Sequence, residues 1–268
     1  MSIRLIALDV DGTLTDEEGR ISAENASAVK AAMESGIQVI LATGRPLQGV
    51  EPICRELGMN GPLILGNGAL VLSGDEVWYQ DFFNPEDLRA VYEHGITVGG
   101  ISVLAFQPEI IPYWFPQDMD KNWLSDILDS FRLDKRFDVP APADLPLERV
   151  NKVMLLGDPQ SVARALAKWP EKIGHLATGR SYPYLGEVNT PTANKGRALS
   201  IVCGRLGLSP EEVMAVGDGE TDLPMLDFAG TAVFVRRGSA IPQLPVGALV
   251  VPTEERDRGV AWALMHGI

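Results

Sequence analysis

Short apolar runs alternating with helical patterns constrain this chain more than any other feature. Leu5–Leu8 reads as a buried strand, Ser22 is placed to cap a helix over residues 23–35 that Gly36 ends, and residues 39–42 return as a second buried strand. Pro46 opens the next helix and residues 62–65 form a third strand. Gly66-Asn67-Gly68 then turns the chain into two short antiparallel pieces around Ser73-Gly74-Asp75. Strand, helix, strand in repetition is the order of parallel strands joined by crossover helices. The expected fold class is α/β, with a doubly wound, mostly parallel, Rossmann-like core sheet.

The alternation stops near residue 82. Residues 82–188 carry more Pro and aromatic side chains, a helical stretch near 121–131, a Pro-rich connector at 140–146, a strand at 152–156 and a helix at 161–169. After Asn189 the first pattern resumes, with a helix at 196–206, a strand at 213–216, a short helix near 223–228, strands at 231–235 and 249–251, and a closing helix near 260–265. At 268 residues, length alone is compatible with one large domain or two ordinary ones, so the division rests on this pattern. The expected core is 1–81 with 189–268, and the expected α+β insert is 82–188.

Apolar residues make up 46% of the chain and charged ones 22%, so it has the composition of an ordinary globular protein. A formal net charge of −13 disfavours nucleic acid and anionic lipid as partners, because both need clustered Lys and Arg to replace counterions. A small anionic substrate would need a local positive centre, either a bound cation or a placed lysine. Cys54 and Cys203 fall in expected helices and read as reduced core thiols, and the run Leu5–Leu8 meets Asp9 far too soon for a signal peptide or membrane span. The expected setting is the cytoplasm.

Asp9-Val10-Asp11-Gly12-Thr13 follows the first strand directly, and the carboxyl edge of a parallel sheet is where such folds place their ligand crevice. Residues two apart in extended chain point the same way, so the Asp9 and Asp11 carboxylates share a face while Gly12 frees the backbone to turn. Two carboxylates about 4 Å apart repel by roughly 4 kcal/mol at an effective dielectric of about 20, which implies a metal or one protonated acid. At average composition this string arises by accident in only about a few chains per thousand of this length.

Here the chain resembles the haloacid dehalogenase superfamily, whose first motif has this form and position. Thr43, in Ala42-Thr43-Gly44-Arg45, is similar to the family's second-motif hydroxyl residue, which hydrogen-bonds the transferring phosphoryl group. Lys195, opening a helix in Asn194-Lys195-Gly196, resembles the third-motif lysine that neutralises nucleophile and phosphate. A cation is poorly placed at a helix N-terminus, and that departure itself points to function. Gly217-Asp218-Gly219-Glu220-Thr221-Asp222 resembles the fourth motif, whose acids hold magnesium. The resemblance implies Asp9, Asp11 and Asp218 as Mg²⁺ ligands, with Asp11 contributing its backbone carbonyl, and Asp222 one shell further out. Thr221 stands where the family usually has Asn, which puts any phosphate contact from that position in doubt.

The likeness covers nearly the whole chain and narrows to the Cof-type branch, which carries a large α/β cap between the second and third motifs. Gly66-Asn67-Gly68-Ala69, Tyr184-Leu185-Gly186-Glu187-Val188 and Asp257-Arg258-Gly259-Val260-Ala261 look like that branch's connecting segments. Catalytic work is thereby expected of Asp9, Asp11, Thr43 and Lys195, and phosphate binding of Thr43, Gly44, Asn67 and Lys195. The implied reaction is hydrolysis of a small phosphorylated metabolite, such as a sugar phosphate, through an aspartyl phosphate. Transfer to a hydroxyl, as in a phosphotransferase or mutase, and a non-catalytic metabolite-binding homologue are the alternatives. Arg180, Tyr182 and Tyr184, like Trp114 and Trp123, read as packing or surface residues of the insert before they read as substrate contacts. Oligomeric state is not legible.

Overall fold

The structure is a computed structural model that describes residues 2–16, 18–107, 113–115, 147–238 and 241–268. It divides into two units, one comprising residues 1–45, 50–79 and 194–268, the other 46–49 and 80–193.

The first unit is built on an eight-stranded sheet. Its strands are β1 (Leu5–Leu8), β2 (Gln38–Ala42), β3 (Leu63–Leu65), β4 (Leu70–Ser73), β5 (Glu76–Gln80), and, from the later part of the chain, β11 (Val213–Gly217), β12 (Thr231–Val235) and β13 (Leu249–Val251). Their spatial order is β13-β12-β11-β1-β2-β3-β4-β5. The six strands from β13 to β3 are parallel, and β4 returns antiparallel on β3. The expected doubly wound sheet is therefore present. β1 sits between β11 and β2, with Ala7 opposite both Ala215 and Ile40. All four residues of β1 are buried, as the central strand of a sheet covered on both faces requires.

Helices α1 (Ala23–Glu34) and α2 (Leu47–Leu57) follow the first two strands, α5 (Lys195–Leu206) and α6 (Leu223–Phe228) flank β11, and α7 (Gly259–Gly267) closes the chain. Ser22 caps α1 by accepting from the Asn25 amide at 3.2 Å, as the sequence suggests. Leu199, Val202 and Cys203 of α5 and Met225 and Leu226 of α6 pack with Ala7, Ile40 and Ala215 into one core cluster. Cys54 and Cys203 are free thiols. No described helix is long and apolar enough to cross a membrane.

The second unit holds an antiparallel sheet in the order β7-β6-β8-β10-β9, from strands Tyr113–Phe115, Ile101–Phe106, Lys152–Gly157, Leu185–Asn189 and Ala177–Tyr182. Helices α3 (Pro85–Val98) and α4 (Pro159–Ala167) bury Leu88, Val91, Val162 and Ala165 with Ile101, Val103, Val153, Leu155 and Val188. α4 begins two residues earlier than the sequence suggests, because Asp158 accepts from the amides of Gln160 and Ser161 and Pro159 then takes the first helical position. The helical stretch near 121–131, with Trp123, and the connector at 140–146 lie outside the described residues.

Buried Asn25 on α1 ties distant parts of the first unit together. Its Nδ2 donates to the Leu14 carbonyl at 3.2 Å, and its Oδ1 accepts from the Ala261 amide at 3.0 Å, one of the orphan donors of the first turn of α7. Asn25→Ala strands the buried Leu14 carbonyl and the half-buried Ala261 amide and is expected to lower the unfolding free energy by about 1–3 kcal/mol in urea titration. An unchanged midpoint and slope would show that water replaces the amide.

Candidate active site

Three neighbouring strands deliver the site. Asp9 follows β1, Asp218 follows β11, and Thr43 follows β2, all at the carboxyl edge of the parallel sheet. Asp9 is 6% exposed, its amide donating to the Val216 carbonyl at 2.9 Å, so β11 fixes the register of the acid at the end of β1.

Lys195 is the first residue of α5 and is 2% exposed. Asn194 caps that helix by accepting from the Arg197 amide at 2.9 Å. The Lys195 Nζ donates to Asp9 Oδ1 at 2.7 Å and to Asp222 Oδ1 at 2.5 Å. An ammonium at a helix N-terminus opposes the macrodipole, and these two buried carboxylates offset that cost. Burial by itself would lower the Lys195 pKa, but the charges of Asp222 and Asp9 outweigh it and hold the group above the ordinary lysine value. The second oxygen of Asp222 accepts from the amides of Asp218 at 3.0 Å and Gly219 at 2.9 Å. Asp222 is thus fully engaged in holding Lys195 on one side and the Asp218 turn on the other.

Carboxylate oxygens of Asp9, Asp218 and Asp222 lie within 4.8 Å of one another. Desolvation, then the nearby Asp222, raises the Asp9 pKa well above the usual carboxylate range against the pull of Lys195. Asp218 is pushed up to about 6, again by burial first and Asp222 second. One buried ammonium does not neutralise two buried carboxylates and a third that is half-buried beside them. Thr13 Oγ1 donates to Asp218 Oδ1 at 3.1 Å, which joins the turn after β1 to the turn after β11. Gly12 has φ of +86°, and a Cβ there would lie 2.2 Å from Asp218 Oδ2, so only glycine lets the two turns meet.

Thr43, Gly44 and Asn67 form a second group. Asn67, in the left-handed region at φ 57°, donates its amide to the Thr43 carbonyl at 2.9 Å and sets its Oδ1 against Gly44. Thr43 Oγ1 accepts from the Arg45 amide at 3.1 Å. Gly68, at φ +97°, brings this turn against the start of α5, where a Cβ would lie 2.4 Å from the Asn194 carbonyl oxygen. The turn after β3 therefore abuts the residue before Lys195.

Two arginines join the site without having been singled out from sequence. Arg45, 3% exposed, grips both Asp11 oxygens, with Nη2 at 2.6 Å from Oδ1 and Nε at 2.9 Å from Oδ2. Its place three residues past β2, inside the second motif, was the available signal. Arg237, two residues past β12, donates Nε to the Gly12 carbonyl and Nη2 to the Thr15 carbonyl, the latter at 3.1 Å. Thr221 is exposed. In the second unit Tyr182 and Tyr184 stack at 5.5 Å, and exposed Arg180 donates to the carbonyls of Pro159 and Pro183. Trp114 lies on β7.

The sheet order, the acid pair after the central strand and the buried lysine define a class of hydrolases built on a doubly wound parallel sheet. The chain belongs to the haloacid dehalogenase-like hydrolases, whose pattern it matches over residues 6–264, and within them to the Cof type. It is 29% identical to a putative phosphatase of Streptococcus pyogenes serotype M6, over 98% of each chain. It is also 29% identical to the 5-amino-6-(5-phospho-D-ribitylamino)uracil phosphatase YcsE of Bacillus subtilis, over 100% of this chain and 97% of that one. Among solved structures, a haloacid dehalogenase-like hydrolase from Bacteroides thetaiotaomicron superposes over 100% of both chains, with a TM-score of 0.82 and 28% identity.

Lys195→Met leaves Asp9 and Asp222 buried without their shared cation, and breaking such a pair costs about 3–5 kcal/mol. With the ammonium gone the Asp9 carboxyl, already held above the usual carboxylate range, rises further, so the loss of stability is largest near neutral pH and shrinks toward pH 5 as that acid protonates. Denaturant unfolding of both proteins at several pH values measures this, and a pH-independent deficit would refute it.

Proposed function

We propose that this protein is a Mg²⁺-dependent phosphatase that hydrolyses a small phosphorylated metabolite through a phosphorylated Asp9. The observation that carries this reading is the Lys195 ammonium placed between Asp9 and Asp222 beside the Asp218 turn. That arrangement supplies a nucleophile, a fixed positive charge and an oxygen-only set of acids in one place.

The donor set fits Mg²⁺. The ion takes oxygen ligands and few protein carboxylates, and the surplus of buried negative charge that raises Asp9 and Asp218 is what a divalent cation relieves. Asp9, Asp218 and the backbone carbonyl of Asp11 would hold it, and when bound it would neutralise charge on the phosphoryl oxygens.

In the proposed reaction an Asp9 oxygen attacks phosphorus, the ester P–O bond breaks, and Asp11 gives its proton to the leaving oxygen. Asp11 then takes a proton from the water that attacks the aspartyl phosphate, and the Asp9–phosphorus bond breaks to release inorganic phosphate. To act this way Asp11 must give up at least one bond from Arg45. The Thr43 hydroxyl oxygen accepts from the Arg45 amide, so its proton is left to donate to a phosphoryl oxygen, and Lys195 holds a second one. The second unit is proposed to act as a cap that selects the leaving group. The Bacillus subtilis relative named for a phosphoribityl pyrimidine supports a small phosphorylated metabolite as substrate class.

A screen of phosphorylated sugars, nucleotides and cofactors for Mg²⁺-dependent phosphate release tests the reading, and activity untouched by chelator would refute the metal. Asp9→Asn is expected to cut turnover on the order of 10³-fold or more. Product analysis in the presence of acceptor alcohols separates hydrolysis from transfer.

The Asp218 carboxyl adds a pH signature. Its folded pKa of about 6 exceeds the unfolded 3.8, so its contribution to stability of the metal-free protein is present below the lower value and fades as pH rises through the upper one. Mg²⁺ competes with that proton. The rise in Tm caused by MgCl₂ is therefore expected to be larger at pH 7 than at pH 5, and an equal rise at both would refute the ligand role.

A further inference from the structure

The turn at residues 10–15 is closed mostly from within. The Val10 carbonyl accepts from the amides of Leu14 at 3.0 Å and Thr15 at 2.9 Å and from the Thr15 hydroxyl at 3.1 Å, and the Gly12 amide donates to the Thr15 carbonyl at 3.2 Å. Its inner side presses on Asp218, through the Thr13 hydroxyl and the close approach at Gly12. Its outer side presents the Gly12 and Thr15 carbonyls, and both are taken by one guanidinium, that of Arg237. Arg237 is largely buried, at 17% side-chain exposure, with Asp257 3.9 Å from its Nη1.

We propose that Arg237 is a positioning residue for the hydrolysis: its fork on the Gly12 and Thr15 carbonyls wedges the turn against Asp218 and so fixes the oxygen donors that Asp11 and Asp218 offer to a cation. The inference rests on the function proposed above. Arginine suits the task because two N–H groups in a rigid plane meet two carbonyls at once, whereas a lysine ammonium on a flexible stem would hold them less firmly. The distance in sequence is bridged by topology. β12 lies one strand beyond β11, so a residue just past its carboxyl end reaches over Asp218 to the turn after β1.

The test uses the full-length protein with Arg237→Met, Arg237→Lys and, as a control for charge, Arg236→Met. Arg236, the preceding residue in the chain, donates its Nε to the Gly238 carbonyl at 3.0 Å. Mg²⁺ affinity is measured by calorimetry without substrate, kcat and KM at saturating Mg²⁺ on the best substrate of the screen, and amide exchange over residues 10–16 by mass spectrometry. Arg237→Met is expected to weaken Mg²⁺ binding and lower kcat by about tenfold each, the lower end of what outer partners of metal ligands contribute, with KM unchanged and exchange of the turn accelerated. Arg237→Lys should recover part of both, and Arg236→Met should match the parent. The proposal is overturned if Arg237→Met lowers Tm yet leaves Mg²⁺ affinity and kcat intact, if Arg236→Met matches it, or if the turn exchanges no faster. Failure of the unmodified protein to bind Mg²⁺ or release phosphate would instead sink the function on which the inference rests.

Discussion

A single buried ammonium between two carboxylates organises the carboxyl edge of the first unit's sheet. Lys195 could not sit 2% exposed at a helix N-terminus without Asp9 and Asp222, and without it those two buried side chains would lose the donor they share. Three separate parts of the chain are thereby tied: the end of β1, the start of α5 and the turn before α6. Taking such charges out of water costs more than any one contact returns, so the cluster is poor evidence of optimised stability. It is better understood as a constraint that the surrounding sheet supports for the sake of chemistry.

The surplus of negative charge is the other half of the same constraint. Were the three acids balanced by cations of the chain itself, nothing would call for a metal. Instead Asp9 and Asp218 are both displaced toward the protonated form, with burial as the leading cause and a neighbouring carboxylate second. Asp222 differs from them in that its oxygens are committed, one to Lys195 and the other to two backbone amides. That division separates the acids that have valence to offer an external cation from the one that holds the frame.

How much of this was legible in the sequence depended on whether a residue's role is local. The strands and the acids that follow them were readable, because apolar runs ending in Asp carry their own context within five residues. The cap of α1 by Ser22 was readable for the same reason. Helix α3 was not, although Asn84 and Pro85 give it an ordinary start. Gly95 breaks its pattern, yet a Cβ there would lie 2.7 Å from Val103 Cγ2, so the residue that reads as a helix breaker is the point where α3 meets β6. The strand order of the second sheet was equally hidden, since antiparallel pairing of β6 with β8 joins segments far apart in sequence. Arg45 and Arg237 were missed because each acts through reach across the sheet edge; Arg237 meets Thr15 across a sequence separation of 222, a relation that only the order β12-β11-β1 creates.

Those two arginines, with Lys195, resolve a tension in the composition. A chain of net charge −13 repels an anionic substrate at long range, but fields between exposed charges fade over a Debye length of about 8 Å at physiological salt, whereas partly buried charges are screened far less. What a phosphate meets at the sheet edge is set by the local inventory. There Lys195 holds the Asp9 carboxylate, Arg45 the Asp11 carboxylate, and Arg237 the Gly12 and Thr15 carbonyls that follow them, so three cations from separate parts of the chain converge on one seven-residue segment. Lys195 and Arg45 are each paired with the carboxylate they orient, whereas Arg237 keeps its charge over neutral carbonyls, with Asp257 3.9 Å from its Nη1 and the Asp218 carboxylate within its field. The segment is consequently held from three sides, and under the proposed function the attraction for a phosphate is shared between Arg237 and the cation that the acid cluster would take up.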